Sequence, residues 1–193
     1  MKNNLITTFM STIFLVTSIF GTVDAQETGI APNVSFTDLG GTSHSLYTYL
    51  DSGYTVILDF SYEFCGPCAD WSANVGHDLW AEHGPDGDNT LRMFHFDVDP
   101  VTDEDVQEYT EEWGVECPVV NLEDNLPEYP SNAYPYIIFA CPDKSYETST
   151  GYGFPSSQIE ADVYLEQCQG NDISTSINFL STSPALSNSL CNS

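Results

Sequence analysis

The sequence predicts an α/β domain built on a central mixed sheet flanked by helices. Three observations carry this: short apolar runs rich in β-branched and aromatic residues at 54–60, 91–97 and 136–140; intervening segments whose apolar residues recur every three to four positions; and Gly, Pro and Asp clusters that separate the two patterns. Their alternation implies mainly parallel strands covered on both faces, closed by a terminal hairpin.

Residues 33–37 form a first extended segment and 54–60 the first central strand. The helix that follows is marked by Cys68, Trp71, Val75 and Leu79, whose spacings of three and four put them on one apolar stripe. That stripe is core. The helical pattern fails at Gly84-Pro85-Asp86-Gly87, and 91–97 then reads as a second central strand. Thr102 caps a helix in which Val106, Tyr109 and Trp113 share a face, and Gly114 ends it. Residues 117–120 make a short edge strand, because Pro118 lacks the N–H that a central ladder uses. A further strand at 136–140 turns through Pro142-Asp143-Lys144 into a partner at 146–150. Ser157 with Glu160 has the pattern of a capping box and opens a last helix that reaches Cys168.

The 193 residues are expected to divide into three parts. Lys2, an apolar stretch over 5–23 and the small residues Val23 and Ala25 form the pattern of a signal peptide, residues 1–25, cut after Ala25. An uncleaved anchor competes, weakened by the Thr and Ser residues that interrupt the stretch. Residues 26–169 suit one domain with a sizeable core, and 170–193, rich in Ser and Asn, a loosely held tail. Cleavage removes one basic and one acidic residue, so the net charge of −26 is unchanged. Phosphate backbones and anionic lipid surfaces repel such a chain, which excludes nucleic acid as a partner and stable membrane association after cleavage. The acidity reads most simply as the solvated surface of a secreted protein, with a cationic target or a saline habitat as alternatives.

Cys65-Gly66-Pro67-Cys68 carries the chemistry. Two thiols separated by two residues at a helix start can open and close as a redox disulfide. Cys65, on the exposed N-terminal side, meets unpaired helix amides that favour its thiolate and is the expected nucleophile. Cys68 lies on the apolar stripe, points inward, and is the expected resolving thiol. Gly66 lets a substrate backbone come close, and Pro67 in the first helical turn gives up no needed donor. A structural bridge and half of a zinc site compete with this reading. The chain has no second Cys-x-x-Cys and no His pair at metal spacing, so no metal is expected, and no cofactor. Cys117, Cys141, Cys168 and Cys191 allow three pairings, among which the sequence does not select. A Cys168–Cys191 bridge, which would pin the tail, is the first expectation.

With these residues in place, the chain resembles the thioredoxin superfamily, in particular its exported TlpA-like branch related to the redoxins. Residues 30–41 are similar to that branch's opening hairpin, 58–68 to its active-site strand and loop, 113–120 to its inserted strand, and 134–139 to the strand after its cis proline. The likeness spans about residues 30–168 in order. It implies a thioredoxin-like fold with an N-terminal hairpin and an inserted strand–helix segment.

The resemblance also assigns roles. Asp59, six residues before Cys65, matches a buried carboxylate that exchanges protons with the inner cysteine, its pKa raised by burial; a solvent-facing carboxylate on an edge strand is the alternative. His95 stands where such proteins often carry a lysine near that carboxylate, although a plain core or outward histidine is the simpler reading. Pro135 matches the cis proline, and Tyr134 before it offers backbone groups to an extended substrate while narrowing access by its bulk. Phe64 replaces the usual Trp, keeping an aromatic wall without the indole donor.

The activity this implies is that of an exported, monomeric thiol-disulfide oxidoreductase, periplasmic or secreted. It would act on protein thiols or disulfides and be served by an upstream redox partner. The potential decides direction, and the Gly-Pro dipeptide leans toward a reductant. A peroxidase is disfavoured because Tyr62 stands where that pattern needs Thr before a lone cysteine, and a copper chaperone because its cysteines are spaced more widely. From another class, a secreted binding module would keep the disulfide for stability alone, and reducibility separates the two.

Overall fold

A computed structural model describes residues 28–170, apart from 123, 132, 151–154 and 156. The expected signal peptide over 1–25, the tail past Gly170 and Cys191 lie outside the described residues. In chain order the elements are β1 (Thr28–Ile30), β2 (Ser35–Thr37), β3 (Ser43–Ser45), α1 (Leu46–Leu50), β4 (Thr55–Ser61), α2 (Gly66–Trp71), a π-helical turn (Ser72–Gly76) and α3 (His77–His83). There follow β5 (Leu91–Asp97), α4 (Asp103–Glu112), β6 (Val119–Asn121), β7 (Tyr136–Ala140), β8 (Ser145–Thr150) and α5 (Gln158–Cys168).

Six strands form one mixed sheet in the order β1-β8-β7-β4-β5-β6, and β2 with β3 forms a separate hairpin. β4, β5 and β6 run parallel, whereas β4–β7, β7–β8 and β8–β1 are antiparallel. The sheet is thus mixed, as the predicted fold class has it, with three parallel strands rather than the mainly parallel set that the alternation alone implies. The cause is local: no helix lies among the described residues between β6 and β7, so the chain returns along the free edge of β4 in the opposite sense. The four-residue connection after β7 then forces a second antiparallel pair.

Alternation along the strands sorts the core into two layers. Val56, Leu58 and Phe60 of β4 join Phe94, Phe96, Tyr136 and Ile138 on one face, covered by the β2–β3 hairpin through Phe36 and by α1 through Leu46 and Leu50. Ile57, Met93, Ile137 and Phe139 look the other way and meet Trp71, Val75 and Leu79 together with Ala161 and Leu165 of α5. The stripe Cys68, Trp71, Val75 and Leu79 is buried throughout, as its spacing predicts. It runs through a π-helical turn that its period does not reveal.

Helix ends follow their residues. Thr102 Oγ1 accepts from the Asp105 amide and the Asp105 carboxylate accepts from the Thr102 amide, a complete capping box, and Gly114 after α4 takes the left-handed φ of 72° that glycine tolerates. Ser157 Oγ accepts from the Glu160 amide at the start of α5.

One expected bridge is overturned. Cys168 pairs with Cys141, not with Cys191, at a Cα–Cα distance of 4.7 Å. α5 packs across β7, with Tyr164 stacked on Phe139 at 4.7 Å, and this carries the helix end to the residue that follows β7. Cys117 is a buried free thiol, and burial pushes its pKa up.

Candidate active site

β4 delivers the chain to the site. Its last residue, Ser61, pairs with Asp97 at the end of β5, and Phe60 pairs with Tyr136 at the start of β7. Cys65-Gly66-Pro67-Cys68 therefore leaves the C-terminal end of a central strand, with the Tyr134-Pro135 segment beside it. The Tyr134–Pro135 peptide is cis. Tyr62 closes this contact edge-on against the Tyr134 ring at 5.5 Å, and Asn125 fixes the Tyr134 hydroxyl by donating from Nδ2 at 2.7 Å.

Cys65 and Cys68 form a disulfide across the first turn of α2. Cys65 is the N-cap residue, its Sγ accepting from the Cys68 amide at 3.2 Å, and Pro67 sits in the first turn where its missing N–H costs nothing. Here the structure corrects one expectation. Cys65 is only 3% exposed against 0% for Cys68, so neither sulfur projects into solvent. The surface is taken instead by Phe64, 81% exposed, and by Gly66 and Pro67, which turn outward while the bridge folds the Cys65 sulfur toward the helix.

Behind the disulfide, on the face covered by α2, lies a buried polar cluster. Asp59 belongs to a central strand and is 2% exposed, which rules out the solvent-facing alternative. Ser61 donates to Asp59 Oδ1 at 2.9 Å, and His95 Nδ1 lies 2.8 Å from Asp59 Oδ2. The pair follows from strand register, because Asp59 stands opposite His95 on parallel neighbours. His95 is thus a core histidine, and its partner is the carboxylate. With Asp59 ionised, Nδ1 carries the proton and the ring is held in one orientation. Tyr109 of α4 donates to Asp97 Oδ2, and the Asp99 amide donates to Oδ1 at 3.0 Å. Burial raises the Asp97 pKa, opposed by the hydrogen bond from Tyr109.

Ser61, Asp97, Tyr109 and Cys117 were not singled out from the sequence as site residues. Ser61 could have been, since it lies two residues from Asp59 and so on the same strand face. Asp97 could have been found as a carboxylate ending an apolar strand.

Comparison with solved structures places this geometry. The thioredoxin domain of a thiol-disulfide oxidoreductase from Bacteroides vulgatus is similar with a TM-score of 0.51 and 24% identity, over 61% of this chain and 83% of that one. A DsbE-type thiol:disulfide interchange protein from Chlorobium tepidum is similar with a TM-score of 0.60 and 15% identity, over 75% and 99%. A secreted Mycobacterium tuberculosis disulfide oxidoreductase, homologous to Escherichia coli DsbE, gives a TM-score of 0.54 and 12% identity, over 69% and 95%. No family profile and no characterised protein sequence matches the chain. At these identities the likeness establishes the fold, and the fold is thioredoxin-like. Among the described residues no helix is long and apolar enough to cross a membrane.

Proposed function

We propose that this chain is an exported thiol-disulfide oxidoreductase that exchanges disulfides with protein partners through Cys65 and Cys68. The observation that carries the reading is the Cys65–Cys68 bridge at the N-cap of α2, with a buried carboxylate–imidazole pair behind it on the two central strands. Once the bridge is reduced, the Cys68 amide that points at Cys65 Sγ and the helix start beyond it favour a thiolate on Cys65.

As a reductant, the Cys65 thiolate attacks a partner disulfide; one partner sulfur leaves as thiolate and the other stays bonded to Cys65. Cys68 then loses its proton to the Asp59 carboxylate and attacks Cys65 Sγ. The bond from Cys65 to the partner breaks, the second partner sulfur leaves as thiolate and takes a proton from solvent, and the Cys65–Cys68 disulfide remains. Two electrons pass to the partner. As an oxidant the same steps run in reverse. The Tyr134 backbone before cis-Pro135, with Phe64, Gly66 and Pro67, forms the wall along which an extended partner segment lies.

Trapping tests this. Cys68→Ser should accumulate partner proteins in disulfide linkage to Cys65, and Cys65→Ser should trap none. The burial of Cys65 favours one second reading, a binding module whose bridge is structural. A Cys65–Cys68 bridge that resists a thioredoxin-strength dithiol would establish it. For export the support is the leader pattern at 1–25 and the secreted neighbour. A mature chain beginning at Gln26 is expected, and a chain recovered in membranes with Lys2 retained would refute it.

A further inference from the structure

We propose that the Asp59–His95 pair exchanges its proton with solvent through a water site formed by Trp71 Nε1, Ser72 Oγ and His95 Nε2, away from the disulfide groove. The inference rests on the proposed function and concerns a step that it leaves open. After each resolution the proton taken from Cys68 sits on the buried pair, at a moment when the departing partner still covers the face around Cys65 and Tyr134. A second way out is needed.

Of the four buried polar side-chain atoms without a hydrogen-bond partner among the described residues, three belong to neighbours around one place: Trp71 Nε1, Ser72 Oγ and His95 Nε2. Their residues are at most 4% exposed. Unpaired polar atoms at this depth forfeit the hydrogen bonds they make with water in the unfolded chain, so three together call for a common cause. All three residues line one cavity of about 10 Å³, together with Asp59. That is on the order of the space one water requires. The chemistry of the three atoms fits one water: Trp71 Nε1–H can only donate, Ser72 Oγ donates or accepts, and His95 Nε2 accepts while Nδ1–H faces Asp59. The same cavity is lined at its outer end by exposed Gly114 and Glu116 and by half-buried His77. The water site therefore lies between the buried pair and the surface beside the loop after α4.

The local fold builds this site. The π-helical turn Ser72–Gly76 brings both of its end residues to the cavity wall. Gly76 is required where Trp71 lies across it, since a Cβ at 76 would stand 2.8 Å from Trp71 Cζ3. His95 is also faced by Asp97 of its own strand, by Tyr109 and the Trp113 ring at the α4 side, and by Cys117 before β6. Asp59 is the partner it touches. Exit of the proton leaves the pair as it began: Cys68 gives one proton to Asp59, Asp59, which lines the same cavity, passes it to the water there, that water gives one to solvent, and His95 keeps Nδ1–H on Asp59 while Nε2 holds the water in place.

Single-turnover kinetics on the full mature protein, with mixed-disulfide formation and partner release followed separately, test the proposal. His95→Ala should slow release at least tenfold at pH 7 and change its pH profile, leave formation at Cys65 unchanged, and recover in part with added imidazole. Ser72→Ala should slow release severalfold without imidazole rescue, and it carries the test should His95→Ala fail to fold. Release rates and pH profiles unchanged in both variants, or a loss in His95→Ala that imidazole does not restore with the profile intact, would overturn it. Should the wild-type Cys65 form no mixed disulfide, the proposed function fails instead. A high-resolution crystal structure then reads the site by itself: a water bridging Trp71 Nε1, Ser72 Oγ and His95 Nε2 supports it, and a dry cavity refutes it.

Discussion

Asp59 and Asp97 are both buried on the face that α2 covers, but their settings differ, and so do the consequences of replacing them. Asp59 is held by Ser61 and His95, and the proposed function makes it the base that takes the Cys68 proton. Asp59→Asn keeps the shape and removes the base. Release of the partner should fall by about 10²-fold or more near neutral pH while attack by Cys65 keeps its rate, as rapid-quench separation of the two steps would read. Equal loss in both steps would remove Asp59 from this role. Asp97 is different, because burial raises its folded pKa despite the hydroxyl of Tyr109. A carboxyl whose pKa is raised on folding stabilises the protein fully below its unfolded pKa of about 3.9, and that contribution is lost as pH rises through the folded value. Asp97→Asn does not titrate. Its stability relative to wild type should therefore climb as pH rises from about 3.5 through that folded value, which urea denaturation at stepped pH would register; a flat or falling difference contradicts the assignment.

Among the elements, the helical run from Gly66 to His83 shows most plainly what a pattern reveals and what it conceals. Its stripe of Cys68, Trp71, Val75 and Leu79 was legible because side-chain period depends only on spacing, and every one of these residues is buried. The π-helical turn inside it was not legible, because one widened turn barely shifts that spacing while it re-aims Ser72 and Gly76. Gly76→Ala should accordingly destabilise the protein by about 1–3 kcal/mol through overpacking against Trp71. A thermal melt checks this, and a neutral result would mean that the indole can shift at no cost. The central strands at 54–60 and 91–97 were read to within a residue, as was the helix capped by Thr102, since their signals are local. The Cys141–Cys168 bridge was missed for the opposite reason. Nothing local to Cys168 says that α5 lies across β7, so Cys191, which would pin the tail, was expected first in place of Cys141, which packing brings near. The Asp59–His95 pair sits between these cases: both strands were read, but their register, which alone makes the contact, is a property of the sheet.

At the scale of the whole molecule, charge is arranged as well as abundant. The described residues contain two side chains of fixed positive charge, Arg92 and Lys144. Arg92 lies at the start of β5, over the Tyr54 ring at 3.8 Å, and Lys144 lies in the β7–β8 turn, 2.9 Å from Asp51. Both positions belong to the end of the sheet where β4 begins, since Thr55 pairs with Leu91 and Val56 with Ala140. The disulfide leaves the other end. Around it stand Glu63 and Asp70 in sequence, and Asp99 and Asp124, whose charges help burial raise the Tyr134 pKa. With the two fixed cations of the described residues at the far pole, the acidic chain directs a negative potential toward the disulfide face, which the proposed partner approaches. A cysteine flanked by Lys and Arg should therefore react with Cys65 faster than the same cysteine flanked by Asp and Glu, by roughly 10-fold or more at low salt. The ratio should shrink toward unity near 1 M salt, where the screening length falls to about 3 Å. Matched disulfide-linked peptides of opposite charge, timed at two ionic strengths with neutral hydroxyethyl disulfide as the reference, make the measurement. A ratio near one at low salt would mean that contacts with Phe64 and Tyr134, rather than the field of the molecule, govern the encounter; a ratio that persists in high salt would point to direct ion pairs at the groove.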